Sequence, residues 1–108
     1  MTVVGTVELT DGGNLRVPSA LAARYLPSDA CLAGSDGGDL ILIPLSSSAN
    51  GGLVLKVRNP AGDRVVLVSE ALNFHVRAGA FRVRWEEDRG ALRVLMTDDD
   101  VPTATGSA

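Results

Sequence analysis

The chain has 108 residues, of which 45% are apolar and only four are aromatic, and its formal net charge is −3. This length fits one domain with a real core. The single cysteine, Cys31, excludes an intrachain disulfide, and no apolar run approaches the roughly 20 residues that a membrane-spanning helix needs. The N-terminus lacks the pattern of a secretory signal, so we expect a cytoplasmic protein without membrane contact.

The first quarter of the chain predicts a hairpin and a short helix. Residues 2–10 alternate between apolar and polar types, as a half-buried strand does, and residues 11–14 give a strong hairpin-turn signal. The returning strand stops at Pro18, which fits the first position of a helix. Residues 19–26 supply good helix formers, and Pro27 ends the helix.

The next segment predicts a second hairpin and then a linker. Residues 30–33 and 40–43 read as apolar strands, joined by a loop over residues 34–39. Residues 46–52 are rich in serine and glycine, a composition typical of flexible linkers. Cys31 lies between apolar neighbours, which predicts a buried core thiol.

The second half of the chain starts with the same kinds of element. A strand over residues 53–58 and a turn over residues 59–63 lead into a returning strand over residues 64–68. Ser69 can cap a short helix that ends at Leu72.

A last hairpin and a tail follow. Residues 80–85 and 91–96 form strands around a turn over residues 86–90, whose acidic side chains we expect at the hairpin tip. Residues 98–108 are polar and begin with three aspartates, so we expect an acidic, disordered tail.

The order of elements thus repeats after about 50 residues, and a few identities repeat with it. A unit of this size buries too little apolar surface to be securely stable alone. We therefore expect residues 1–51 and 52–97 to be two pseudo-symmetric β-β-α-β-β units that share one core. The recurring identities include Val7, Gly12 and Ser19, which return as Val57, Gly62 and Ser69.

The run from Asp11 to Leu21, with residues 26–32 and 39–44, resembles the AbrB/MazE/MraZ swapped-hairpin families. The match covers most of residues 5–45, and residues 62–72 resemble the pattern more weakly. Two units in one chain look most like a shortened version of the tandem arrangement of MraZ. The resemblance implies a mainly β fold, a swapped-hairpin AbrB-like barrel, and DNA binding as a transcriptional regulator.

The charge distribution offers a surface for such a partner. Residues 52–97 carry eight basic and five acidic groups, whereas residues 1–51 carry two basic and five acidic ones. A locally basic surface can meet a polyanion even in an acidic protein, and guanidinium groups suit phosphates. With the family resemblance, this gives six candidate residues for contact with double-stranded DNA: Arg16, Arg24, Arg64, Arg77, Arg82 and Arg84.

A second function stays open at this point. Asn14, Ala22 and Ala23 occupy positions that are basic in the families resembled, so the same barrel could serve as a protein-interaction or assembly module. An antitoxin-like role ranks lower because the tail lacks apolar anchors. The chain could close its own barrel as a monomeric pseudo-dimer or form a homo-oligomer.

Signals for an enzyme or a metal site are weak. His75 is the only histidine, and the sequence contains neither a nucleophile elbow nor a phosphate-binding glycine loop. One cysteine and one histidine, 44 positions apart, are too few for a zinc site of four ligands. We therefore expect no catalytic residue, no metal and no cofactor.

Overall fold

Strands dominate the computed structural model, which describes residues 3–46, 51–72 and 77–97. The expected mainly β fold is confirmed. In chain order the elements are β1 (Val3–Leu9), β2 (Asn14–Val17), α1 (Ser19–Tyr25), β3 (Ala30–Asp36), β4 (Asp39–Pro44), β5 (Leu53–Val54), β6 (Lys56–Val57), β7 (Arg64–Leu67), a 3-10 turn (Ser69–Ala71), β8 (Gly79–Glu86) and β9 (Ala91–Val94).

The nine strands form one antiparallel sheet that curls into a nearly closed barrel, in the order β5-β3-β4-β9-β8-β1-β2-β7-β6. The two end strands, β5 and β6, are separated in the chain only by Leu55. The first part of this segment pairs with β3, and the second part pairs with β7. One continuous stretch of backbone, Leu53–Val57, therefore joins the two ends of the sheet.

Among the described residues, each strand pairing is either a local hairpin or a contact between the two halves of the chain. The hairpins are β1–β2, β3–β4, β6–β7 and β8–β9. The pairings between halves are β1–β8, β2–β7, β3–β5 and β4–β9. The described strands of each half thus complete the sheet of the other. The division into pseudo-symmetric units over residues 1–51 and 52–97 stays a prediction.

Alternation along the strands fills the barrel with aliphatic side chains. In β1, Val7 and Leu9 are buried while Thr6 and Glu8 are exposed, as period-two geometry requires. Helix α1 turns Leu21 and Ala22 toward the core. Fully buried side chains from both halves meet there, among them Leu15, Leu26, Leu40, Leu42, Leu55, Val66, Val83 and Leu92.

Cys31 is a buried core thiol, as the sequence predicts. Its side chain is fully shielded from solvent within the apolar cluster. Burial raises the pKa of the thiol to about 11, so the nucleophilic thiolate is scarce near neutral pH. The cysteine is therefore a packing residue of the barrel.

Two predicted boundaries in the first half are wrong. The loop expected over residues 34–39 shrinks to Gly37 and Gly38, because both glycines adopt positive φ and allow a tight turn between β3 and β4. Pro18 precedes the helix instead of occupying its first position, with φ −59° and ψ 150°. Its backbone is still extended, so Pro18 is the linking residue between the end of β2 and the start of α1.

The second half also departs from expectation at two places. The strand predicted over residues 53–58 is interrupted at Leu55, where the chain changes from one sheet edge to the other. Ser69 begins the 3-10 turn but its side chain does not cap it. His75, most of the 46–52 linker and the acidic tail lie outside the described residues. Within the described ranges, no helix has the length and apolarity needed to cross a membrane.

Gly13 fastens the β1–β2 turn to the other half of the chain. Its carbonyl accepts a hydrogen bond from the Val68 amide at 2.9 Å, and its φ is +85°. A Cβ built on Gly13 would lie 2.6 Å from the Ser69 Cβ, whereas one on Gly12 would meet only the flexible Asn14 amide at 3.7 Å.

We expect Gly13→Ala to lower the free energy of unfolding by about 1–3 kcal/mol, because an L side chain is strained at this φ and collides with Ser69. Gly12→Ala is the matched control and should change it by less than about 0.5 kcal/mol. Urea unfolding followed by Trp85 fluorescence measures both. Equal stability of the two variants would contradict this account of Gly13.

Candidate nucleic-acid interface

Three of the six candidate arginines meet around Thr6, on the outer face of β1. Arg82 of β8 lies directly opposite Thr6, and Arg16 of β2 lies opposite Glu8. Cross-strand partners share a sheet face, so these side chains project to the same side. Arg24, in the last turn of α1, lines a groove of about 510 Å³ that also includes Thr6.

A second groove, of about 250 Å³, adjoins the first and shares Thr6 and Pro18 with it. Its lining adds Arg58, from the β6–β7 turn, to Arg16. The sequence-based candidates did not include Arg58, which the fold brings close from the other half of the chain. We call the area formed by Thr6 with Arg16, Arg24, Arg58 and Arg82 the Thr6 surface.

The side chains of these four arginines are all at least partly exposed. Arg16 contacts Glu8 at 3.1 Å, but the two side chains are 42% and 56% exposed, and a pair so open to water is weak. The Arg24 guanidinium lies over the Tyr25 ring, 5.4 Å from its centroid. Arg58 and Arg82 are exposed.

Asp63, the second acid of this surface, is held in place by hydrogen bonds. Its carboxylate accepts the side-chain amide of Asn59 at 3.0 Å and the backbone N–H of Ser19 at 2.8 Å. The hydrogen bond from Asn59 has the largest effect and that from Ser19 the next largest, and together they hold the pKa of Asp63 below its usual value. Because Pro18 offers no side-chain acceptor, Asp63 serves the first N–H of α1 and ties the β6–β7 turn to the helix.

The Thr6 surface is therefore positive on balance. Among its described residues, four arginines face two carboxylates, those of Glu8 and Asp63. Ala22, one of the positions that are basic in the families resembled, is 2% exposed and belongs to the core. Ala22 is apolar because it packs in the core, so its lack of charge does not argue against a basic surface.

The other three candidates lie elsewhere. Arg64 of β7 is half-buried and donates to the backbone carbonyls of Leu55, at 3.1 Å, and Ser28, at 3.5 Å. It therefore stabilises the segment that closes the barrel. Arg84 pairs with Glu86 at 3.4 Å, and Arg77 is an exposed residue just before β8.

A cluster of buried ion pairs centred on Arg93 was not predicted from the sequence. Arg93 is 9% exposed, and it donates from Nε to Glu86 at 2.9 Å and from Nη1 to Asp39 at 3.0 Å. It also contacts Asp36, which in turn pairs with Arg89. We call Asp36, Asp39, Arg84, Glu86, Arg89 and Arg93 the Arg93 cluster.

The placement of Glu86 at the hairpin tip is wrong. Glu86 is the last residue of β8 and is 7% exposed, because its carboxylate turns back to Arg93 on the neighbouring strand. Glu87 and Asp88 do lie exposed in the turn. An arginine flanked by apolar residues in β9 was the one sequence signal that could have suggested a buried partner.

Arg93 and its carboxylate partners stabilise each other's charged forms. The hydrogen bond from Arg93 outweighs burial and lowers the pKa of Glu86. Burial raises the pKa of Asp39, but hydrogen bonds from Thr97, Arg93 and Met96 outweigh it and the net shift is downward. Burial alone would lower the pKa of Arg93, yet its carboxylate partners raise it. Three positive and three negative charges balance, which indicates a structural role.

The described residues contain no group of histidine, cysteine and acidic side chains able to hold a metal ion. The Thr6 surface thus offers positive charge and exposed grooves for a partner, and the Arg93 cluster stabilises the fold.

Comparison of the chain with protein-family models, with curated proteins and with solved structures gave no match.

Proposed function

We propose that this chain is a small DNA-binding protein of the AbrB/MraZ type that acts in transcriptional regulation. The observation that carries the proposal is the Thr6 surface, where four arginines from both halves of the chain surround an exposed threonine. Arginine suits phosphate oxygens because its planar guanidinium can donate two parallel hydrogen bonds. Duplex DNA presents such oxygens at a spacing that several arginines can use together.

The fold supports the same proposal. Four local hairpins whose strands also pair with the other half of the chain are what a swapped-hairpin barrel made of two units requires. We propose that identity for the barrel. In this arrangement Arg16 and Arg24 come from the first unit, whereas Arg58 and Arg82 come from the second, so the surface needs both.

A salt titration tests the binding. Fluorescence anisotropy of a labelled mixed-sequence duplex should show an affinity that falls steeply with salt, because each phosphate contact releases counterions. With four contacts, the slope of log K against log salt should be about −3.6. Arg24→Ala and Arg82→Ala should each make the slope shallower by about 0.9.

Arg89→Ala removes the same charge outside the Thr6 surface and is the control. It should leave the slope unchanged, since its guanidinium pairs with Asp36 in the Arg93 cluster. Absence of binding at low salt, or binding that ignores salt, would rule out the DNA proposal. Equal effects of Arg24→Ala and Arg89→Ala would place the contact somewhere else.

The second candidate function, a protein-interaction module, is favoured by one observation. Leu32 and Ile43 lie opposite each other on β3 and β4, and their exposures are 45% and 40%. Leu67, 54% exposed, lines a groove of about 470 Å³ together with Leu32. Exposed apolar area of this kind often marks an interface. A protein complex that Leu32→Ser dissociates, with no DNA binding at low salt, would favour this function over the first.

A further inference from the structure

We infer that the Thr6 surface binds duplex DNA through its phosphates and reads no base edges. The inference rests on the proposed function and specifies its substrate class: double-stranded DNA of any sequence. It follows from three features of the described structure, namely the width of the sheet under the arginines, the shortness of the helix beside them, and the charges on the hairpin turns.

The sheet under the Thr6 surface is too wide to enter a groove. Arg82 and Arg16 lie on β8 and β2, on either side of β1. With adjacent strands about 4.8 Å apart, the axes of β8 and β2 are separated by roughly 10 Å before side chains are counted. Further strands, β9 and β7, flank them. A major groove about 12 Å wide admits a two-stranded ribbon, whereas this surface is the middle of a nine-stranded sheet.

Helix α1 cannot supply a base-reading code either. It has seven residues, and Leu21 and Ala22 face the core. Its exposed residues are Ala20, Ala23 and Arg24, of which only Arg24 can hydrogen-bond a base. Reading helices use three or four side chains in succession, so α1 provides one cationic contact and no pattern.

Two of the hairpin turns carry exposed acids. Asp11 is exposed in the β1–β2 turn, and Glu87 and Asp88 are exposed in the β8–β9 turn. Phosphates on both walls of a groove would repel these tips.

The tip of the β6–β7 turn, residues 59–62, also offers no base-reading side chain, and Arg58 at the start of this turn lines the groove beside Thr6 and Arg16. Asn59, whose amide could pair with an adenine, uses both amide atoms on Asp63: its nitrogen donates to the carboxylate, and its oxygen accepts the backbone N–H. The remaining tip residues, Pro60 and Ala61, have no polar side chain. The cations of the Thr6 surface therefore lie on the strands, on the helix and, for Arg58, at the start of a turn. There they meet phosphates from outside the DNA grooves.

Three duplexes of equal length test the inference: one rich in A·T pairs, one rich in G·C pairs and one of mixed sequence. We expect their dissociation constants to agree within about twofold at each salt concentration, with one common salt slope. Arg24→Ala should weaken binding to all three by the same factor, and Arg89→Ala should weaken none of them.

Two outcomes would overturn the inference, and they are distinguishable. If one duplex binds tenfold or more tightly than another, or if Arg24→Ala weakens binding to one sequence alone, the surface reads bases or DNA shape while the proposed function stands. If none of the three duplexes binds at low salt, both the inference and the proposed function fail.

Discussion

Replacing Arg93 with methionine should lower the free energy of unfolding by about 3–5 kcal/mol, because it removes the cation that donates hydrogen bonds to both buried carboxylates, Glu86 and Asp39. Methionine retains much of the apolar volume of the side chain, so the loss reports on charge more than on packing. Urea unfolding monitored by Trp85 fluorescence would measure it. Trp85 is a suitable probe since its ring stacks on Tyr25, 4.9 Å between centroids.

Arg89→Met is the matched control for this substitution. Arg89 belongs to the same cluster, but its side chain is 50% exposed and water screens its pairing with Asp36. Exposed pairs of this kind contribute about 0–1 kcal/mol. Equal stability of the Arg93→Met and Arg89→Met variants would contradict the conclusion that the Arg93 cluster stabilises the fold.

The same variant should change the response to acid. Folding lowers the pKa values of Glu86 and Asp39, so their stabilisation is present above their ordinary values near 4 and is lost as pH falls through the lowered values. The free energy of unfolding of the natural chain should therefore decline below about pH 4. In Arg93→Met both carboxylates lose the hydrogen bond from Arg93, which contributes to lowering their pKa values, so the decline should be shallower. Identical pH profiles would exclude this linkage.

Leu55→Ala should destabilise the protein by about 2–5 kcal/mol, through lost burial and the cavity left behind. Leu55 is 2% exposed and sits at the crossing point between β5 and β6. Its backbone would keep its own contacts, the N–H donating to Asp29 at 2.8 Å and the carbonyl accepting from Arg64 at 3.1 Å. The change in the free energy of unfolding therefore measures how much the Leu55 side chain contributes to holding the closing segment, Leu53–Val57, in place.

Val57→Ala provides the comparison for Leu55. Val57 lies two residues further along the same segment, but it is 64% exposed. Its truncation should change stability by less than about 0.5 kcal/mol, measured by the same urea unfolding. Comparable losses at the two positions would mean that the closing segment is not held by the burial of Leu55.

Local patterns predict most of this fold. Alternation identified β1, and the paired turn residues identified the hairpins, because both signals depend on neighbours in the chain. Leu55 was missed for the opposite reason. The sequence there reads as one strand, and the change of partner from β3 to β7 depends on how the whole sheet curls.

The candidate site was less accessible to sequence analysis. Arg16, Arg24 and Arg82 do come together, but Arg58 joins them through a pairing of distant strands. Arg64 has the residue type expected of a DNA contact, yet its guanidinium serves backbone carbonyls. The Arg93 cluster links residues 54 positions apart, a distance over which residue type alone indicates nothing.

The pairing between halves has a consequence for synthesis on the ribosome. Strands β1 and β4 emerge early, but their neighbours β8 and β9 span residues 79–94. Until those residues have been translated, the nascent first half carries two unpaired edges that other chains could join. Completion of the barrel thus requires β8 and β9, and a chain that stalled before them would be an aggregation hazard.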